Sequence, residues 1–217
     1  MLRTTSKLVA TSVVIMFLSL SGLGADAPAP LLKRPVSLSA ENRSLSDYLL
    51  AVFRNAGISG GIAIVNDRCV DVSEQFPEFK GNVQDALEKL ASTGHQLRWF
   101  QAGESLVVLN TPSAPPMLRV VVREFRFSRK EALTKASSDL FDTPEASNQV
   151  RALHLDEYGP EMGFARLRQP STPPDIVSLT NTTVLDALNK IADGHAVWLY
   201  KESRCERNVM SLNWPVR

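Results

Sequence analysis

The chain has 217 residues, 44% of them hydrophobic and 22% charged, which excludes a low-complexity disordered chain, a collagen-like repeat and a disulfide-dense miniprotein. Lysine plus arginine number 24 against 23 acidic residues, so no basic field points to nucleic acid, and aromatic residues at 7% are too few for a base-stacking platform. One apolar run is long enough to be weighed as a membrane segment, which excludes a polytopic membrane protein.

That run lies at the N-terminus. Arg3 and Lys7 form a positive region, Leu8 to Leu20 an apolar one, and residues 21–25 a stretch rich in small side chains. This order predicts a secretory signal peptide over residues 1–25, cleaved after Ala25; the alternative is an uncleaved anchor helix, for which the apolar run is short. No cysteine lies near the cleavage region, so a lipoprotein is not expected. Cleavage removes Arg3 and Lys7 from the 24 basic residues and none of the 23 acidic ones, leaving the exported chain close to neutral. Such a chain is not expected to bind polyanions or anionic membrane surfaces by charge. The expected location is periplasmic or secreted, with membrane association only through a partner or an uncleaved signal segment.

Residues 26–34 read as a flexible leader. Val36-Ser-Leu-Ser-Ala40 alternates as a strand. Leu45, Tyr48, Leu49, Val52, Phe53 and Ala56 form one helical apolar stripe, with Ser44 and Asp47 as a capping pair and Gly57 as the stop. Ile62–Val65 and Val70–Val72 read as short strands. A second helix carries Val83, Ala86, Leu87, Leu90 and Ala91 between Asn82 and Gly94. Leu97–Phe100 and Leu106–Leu109 flank Ala102-Gly103-Glu104 as a hairpin.

Residues 110–117 hold three prolines and divide the chain into a lobe over 35–110, a linker over 111–117 and a second lobe over 118–217. In the second lobe Arg119–Phe127 reads as a strand. Ser128 with Glu131 opens a helix through Leu133, Ala136 and Leu140, and a weaker helix spans Pro144 to about Leu153. An exposed loop at 168–175 leads to a strand at Ile176–Leu179. The last helix carries Val184, Ala187, Leu188, Ile191 and Ala192 between Thr183 and Gly194, and strands at Val197–Tyr200 and Val209–Trp214 follow.

An internal repeat runs through this order. Val83–Ala91 and Val184–Ala192 are identical at six of nine positions, and each is followed by Gly-His, at Gly94-His95 and Gly194-His195. Leu45–Phe53, ending at Gly57, is a looser third copy. Each unit reads strand, capped helix, glycine, strand, so duplication of one unit is expected, against convergence on a common helix pattern. The expected class is α+β: two small lobes of βαβ units, each a two-layer sandwich of helices on a mixed sheet, with residues 141–175 inserted in the second.

Residues 35–110 resemble the short N-terminal domain shared by secretins and TonB-dependent receptors, the STN domain. The resemblance rests on four stretches: 36–49, Asn55-Ala-Gly-Ile58 with Gly61–Val65, 79–94 and 97–109. It implies two βαβ-type units in a small sandwich and a periplasmic docking role without catalysis. No plug, β-barrel or secretin core follows before Arg217, so a pore or receptor role is not part of the expectation.

Chemistry-bearing residues are few. Gly57-Ile-Ser-Gly-Gly61 matches the hydrolase elbow G-x-S-x-G, but the elbow needs a strand before the serine and a helix after it; here the order is reversed, making Ser59 a turn residue. His95 and His195 occupy equivalent repeat positions and form a paired site only if the lobes face each other; otherwise each supports a helix end. His154 beside Asp156 and Glu157 lacks a further ligand at metal spacing, and Asp67 and Asp71 read as solvated charges. Trp99, Trp198 and Trp214 lie on strands, where core packing competes with a sugar-stacking platform. Asn42-Arg-Ser44 and Asn181-Thr-Thr183 are glycosylation sequons, without meaning in the bacterial host the resemblance implies. No catalytic residue, metal or cofactor is expected.

Cys69 and Cys205 are the only cysteines, and in an oxidising compartment they are candidates for a disulfide tying the halves together; free or buried thiols are the alternative. The expected function is a non-enzymatic interaction protein that docks a periplasmic or outer-membrane partner, with no nucleic acid, by strand addition at a sheet edge. The edge candidates are Val36 and Leu38 on the first strand and Met210 and Leu212 on the last. The rival is a secreted hydrolase or carbohydrate-binding protein using a cleft between the lobes, marked by a pocket gathering Ser59, a histidine and a carboxylate.

Overall fold

Three helices start in the same way, and the starts fix the architecture. The computed structural model describes residues 30–66, 72–157, 175–204 and 208–214. Strand β1 spans Pro35–Leu38, and β2 (Glu41–Ser44) runs directly into helix α1 (Leu45–Asn55). Strand β3 follows at Gly60–Asn66 and β4 at Ser73–Phe76, and β5 (Phe79–Asn82) runs directly into α2 (Val83–Ser92). Far along the chain, β10 (Ile176–Thr183) runs into α5 (Val184–Ala192). In each case the last strand residue is the helix cap. The Asp47 N–H donates to Ser44 Oγ at 3.2 Å, Asp85 N–H to Asn82 Oδ1 at 3.0 Å, and Asp186 N–H to Thr183 Oγ1 at 3.1 Å. Each aspartate accepts a bond back from its cap, which satisfies orphan donors and places negative charge on the helix N-terminus. The glycines that stop these helices, Gly57, Gly94 and Gly194, all adopt positive φ.

Strands β6 (Arg98–Ala102) and β7 (Ser105–Leu109) form the expected hairpin, and β8 spans Val121–Ser128. Helices α3 (Leu133–Phe141) and α4 (Pro144–Ala152) precede β9 (Leu155–Glu157); β11 (Val197–Arg204) and β12 (Asn208–Asn213) close the chain. Six strands make one sheet in the order β6-β7-β3-β11-β12-β9. Its centre is parallel: β7 with β3, and β3 with β11 over Gly60↔Val197 to Asn66↔Ser203. Its two hairpins, β6–β7 and β11–β12, are antiparallel, and β9 runs parallel to β12. Three two-stranded antiparallel pairs, β1–β5, β2–β4 and β8–β10, lie outside it.

The α+β class, with helices packed on mixed sheets, holds. The finer arrangement differs from two separate sandwiches, because both halves contribute to the same sheet. Alternate residues of the central strands enter two different cores. Ile62, Ile64, Leu106, Val108, Val197 and Leu199 pack with the helices of the first half, α1 and α2. Ala63, Val107, Leu109, Trp198, Tyr200 and Met210 pack with α3, α4 and α5. The sheet is therefore a middle layer between the helices of the two halves. Strands buried on both faces read as continuous apolar runs rather than alternating ones, as Leu106-Val-Val-Leu109 and Val197-Trp-Leu-Tyr200 do.

Three local expectations are corrected. The end of the expected flexible leader over 26–34 is ordered: Leu31–Lys33 form a 3₁₀ turn and Leu31 is buried in the first core. The 111–117 segment is packed rather than a free linker: a short 3₁₀ turn spans Pro116–Arg119, and Met117 and Leu118 are fully buried in the second core. Apolar side chains beside the prolines drive that packing. Ser128 and Glu131 do not start a helix. Glu131 N–H donates to the Ser128 carbonyl at 3.0 Å and Glu131 Oε1 accepts from Ser128 N–H at 2.8 Å, closing a turn that delays α3 to Leu133. Helix α4 and β9 lie within the expected insertion at 141–175. The expected signal segment, Asp67, Cys69, Val70, Asp71, Cys205 and residues 158–174 lie outside the described residues.

Candidate functional site

Among the described residues, Ser59, His95, His154 and His195 are not brought together. Ser59 is buried between α1 and β3, and its hydroxyl donates to the Glu104 carbonyl at 3.4 Å. The glycines around it have packing reasons. At Gly60 a Cβ would stand 2.0 Å from the Leu106 carbonyl oxygen, and at Gly61 it would stand 1.9 Å from the Trp198 ring. His95 Nε2 lies 3.4 Å from Glu74 Oε1, and the ring stacks near Phe76. Both line a cavity of about 310 Å³ with Ser46, Asn66 and Asn110, and Ser59 is not part of its wall. Nearby Ser44 is occupied as the cap of α1. His195 and His154 are exposed. His95 follows α2 and His195 follows α5, so the two sit with helices on opposite faces of the sheet. Among the described residues no group of three or more His, Cys, Asp or Glu is placed to hold a metal ion.

The tryptophans go to packing. Trp198 is fully buried, with its indole N–H donating to Asn189 Oδ1 at 2.9 Å, and the half-buried Trp214 donates to Ser137 Oγ at 3.1 Å. Trp99 packs at the margin of the first core. With one long hydrogen bond at stake, Ser59→Ala is expected to change stability by less than about 1 kcal/mol and to leave binding intact. Chemical denaturation with a binding assay checks this; loss of binding with the fold retained would restore Ser59 as a functional residue.

Of the two expected edges, the last strand is internal to its sheet and the first is an edge of a two-stranded pair. Strand β12 is between β11 and β9, so Met210 faces neighbours on both sides and is 1% exposed. Leu212 pairs with Tyr200 and packs on the second core. Being last in sequence did not make this strand last in the sheet, because β9 from the middle of the chain was added outside it. Val36 and Leu38 are buried on the first core, and their strand pairs only with β5. The open side of β1 is partly closed by α1, whose Asn55 Oδ1 accepts from Ser37 N–H at 2.8 Å.

The open edge of the six-stranded sheet nearest the N-terminal half is β6. On β7, Leu106 N–H donates to the Ser59 carbonyl at 3.0 Å and Asn110 N–H to the Ala63 carbonyl at 3.1 Å. Leu106, Val108 and Asn110 therefore turn their backbone groups to β3. Their partners on β6 are Gln101 for Leu106 and Trp99 for Val108, which are the non-hydrogen-bonded pairs of this ladder. The N–H and C=O groups of Trp99 and Gln101 thus point away from the sheet, along an edge with no strand beyond it among the described residues. Phe100 between them is 42% exposed. The edge has no proline and no bulge. Sequence reasoning passed over it because a hairpin arm gives no sign of which arm is outermost.

No helix among the described residues is long and apolar enough to cross a membrane. No protein-family model matches the chain, and no curated protein and no solved structure matches it either.

Proposed function

We propose that this chain is an exported, non-enzymatic interaction protein of the periplasm, similar in its first half to the STN domain, which docks a periplasmic or outer-membrane partner by strand addition at β6. The observation that carries the reading is the row of outward backbone groups at Trp99 and Gln101. A partner strand satisfies such groups with little demand on its own sequence. Nucleophilic work needs the nucleophile within hydrogen-bond reach of its base, and Ser59 lies outside the wall of the cavity that His95 and Glu74 line, which favours binding over hydrolysis at Ser59.

The test is capture of a partner from a periplasmic extract by the exported chain and by Gln101→Pro. Proline at this position removes an outward N–H and leaves the β6–β7 bonds in place. Capture is expected to be lost with the melting transition retained. Capture that survives Gln101→Pro but fails in His95→Ala would move the function to the cavity beside Glu74.

Export and the disulfide belong to the same proposal. Asn66 and Ser203 are partners on neighbouring parallel strands. Cys69 is three residues beyond the first and Cys205 two beyond the second. Since a residue spans at most about 3.3–3.6 Å of chain, a bridge is within reach. Native protein is expected to begin at Asp26 and to show no free thiol until reduced. An N-terminus at Met1 would overturn cleavage, and two titratable thiols in the oxidised protein would overturn the bridge.

A further inference from the structure

The two halves build their parts of the sheet to one plan. In the first, a 3₁₀ turn (Leu31–Lys33) leads to β1, which pairs with β5, and β5 caps α2; the hairpin β6–β7 follows, and β7 pairs in parallel with β3. In the second, the Pro116–Arg119 turn leads to β8, which pairs with β10, and β10 caps α5; the hairpin β11–β12 follows, and β12 pairs in parallel with β9. The correspondence reaches single bonds. The first residue of α2 donates from Val83 N–H to the Arg34 carbonyl at 3.1 Å, and the first residue of α5 donates from Val184 N–H to the Val120 carbonyl at 2.9 Å. Both helix caps are paired with the first residue of the partner strand, Asn82 with Pro35 and Thr183 with Val121.

Strand β6 thus corresponds to β11, β7 to β12 and β3 to β9. Corresponding strands keep their order across the sheet but run in opposite directions, and the two sets of helices lie on opposite faces. A half-turn about the inter-strand direction, with a shift along it, relates the halves. Such an operation does not close on itself. It leaves one junction made, β3 against β11, and, among the described residues, the same two surfaces open at the ends: β6, the counterpart of β11, and β9, the counterpart of β3.

The backbone polarity of the open ends matches the junction already made. Gly60 N–H donates to the Ala196 carbonyl at 3.0 Å, so in this parallel register Trp198, Tyr200 and Glu202 turn their backbone groups to β3. Trp99 packs on the core of its own half and Tyr200 on the core of its own, which makes Trp99 the counterpart of Tyr200 and Gln101 that of Glu202, with the one-residue difference between the halves falling between helix and strand. These are the residues of β6 whose groups point outward. On β12, Asn208 and Met210 turn to β9, so Asp156 of β9 faces β12 while the backbone groups of Leu155 and Glu157 face out.

We propose that the occupant of the β6 edge is the β9 edge of a second copy of this chain, paired in parallel as β3 pairs with β11, so that chains associate head to tail. This inference rests on the reading of β6 as a docking edge and names its partner. The contact is heterologous: each chain gives one edge and offers the other. It is shorter than the internal junction, since β9 has three residues where β3 pairs seven, so association is expected to depend on concentration.

Sedimentation velocity on the exported chain over a range of concentrations tests this, with Gln101→Pro to block β6 and Glu157→Pro to block β9. The expected result is concentration-dependent association of the wild type and a single monomeric boundary for either variant alone. Mixing the two variants is expected to restore a complex that stops at a dimer, because each contributes its intact edge. That dimer also shows that both variants fold. A wild type that stays monomeric throughout overturns the inference, as does association untouched by both prolines or a mixture that stays monomeric. A monomeric wild type whose Gln101→Pro variant still loses partner capture sinks only the second-copy inference. Association lost in Gln101→Pro with partner capture retained sinks the strand-docking function instead.

Discussion

Gly60→Ala is expected to destabilise the protein by about 4 kcal/mol or more, or to prevent folding. Gly60 opens β3 at φ +135°, and the missing Cβ is where the Leu106 carbonyl of β7 lies. The obstacle is backbone, held in a parallel ladder, so no side-chain rotation relieves it. Strands β3 and β7 would have to separate at their first pair, and with them the contact between the hairpin and the middle of the sheet. Gly57 is the internal control. It also has a positive φ, but no atom lies within 4 Å of its missing Cβ. Gly57→Ala is therefore expected to cost only the conformational strain, about 1–2 kcal/mol. Urea unfolding of both variants separates the two effects. Equal losses would show that strain, not the approach of β7, sets the requirement at Gly60.

That contrast marks what could be read in advance. The G-x-S-x-G string is read correctly as a turn from its reversed element order, while the need for glycine at position 60 comes from a strand more than forty residues away. Signals within one turn of helix were readable. Ser44 with Asp47, Asn82 with Asp85 and Thr183 with Asp186 each mark a helix start that the structure contains. The Ser128–Glu131 pair used the same chemistry to close a turn, because Lys130, Glu131 and Ala132 offer no apolar stripe to hold a first helical turn on the core. Strands β2, β4, β5 and β9 were not anticipated. They are three or four residues long, and a polar run such as Glu41-Asn-Arg-Ser44 carries no alternation.

Sheet order was the main loss. Met210 and Leu212 looked terminal because they are late in sequence, yet pairing is decided by which strands the helices leave free to meet. One available signal pointed to the shared sheet: four consecutive apolar residues in β7 and again in β11 mean burial on both faces, which a two-layer lobe does not provide. Weighing that signal would have shifted attention from the ends of the chain to the outer arm of the first hairpin.

Glu202→Ala is the second large effect expected. Its carboxylate is almost wholly buried on β11, accepting from the Tyr200 hydroxyl at 2.8 Å and from Arg204 Nε at 2.7 Å. Removing it leaves the buried phenol without that acceptor, while Arg204, about half exposed, regains water. The cost therefore falls on Tyr200 and on the space left behind, about 2–3 kcal/mol together. Glu202→Gln keeps an acceptor oxygen for the phenol and should lose less. Burial, and then the negative charge of Glu202, raise the Tyr200 phenol far above its ordinary value of 10.0. Its contribution is complete below that value. Above about pH 10 the unfolded chain releases the proton and the folded chain holds it, so stability falls as pH rises. Tyr48, raised chiefly by its own burial, acts in the same direction. Tyr200→Phe should thus flatten the loss of stability between neutral and alkaline pH without abolishing it. Denaturant unfolding on both sides of pH 10 measures the slope, and an unchanged slope in Tyr200→Phe would mean that burial and the neighbouring carboxylate do not hold the phenol protonated in the folded chain.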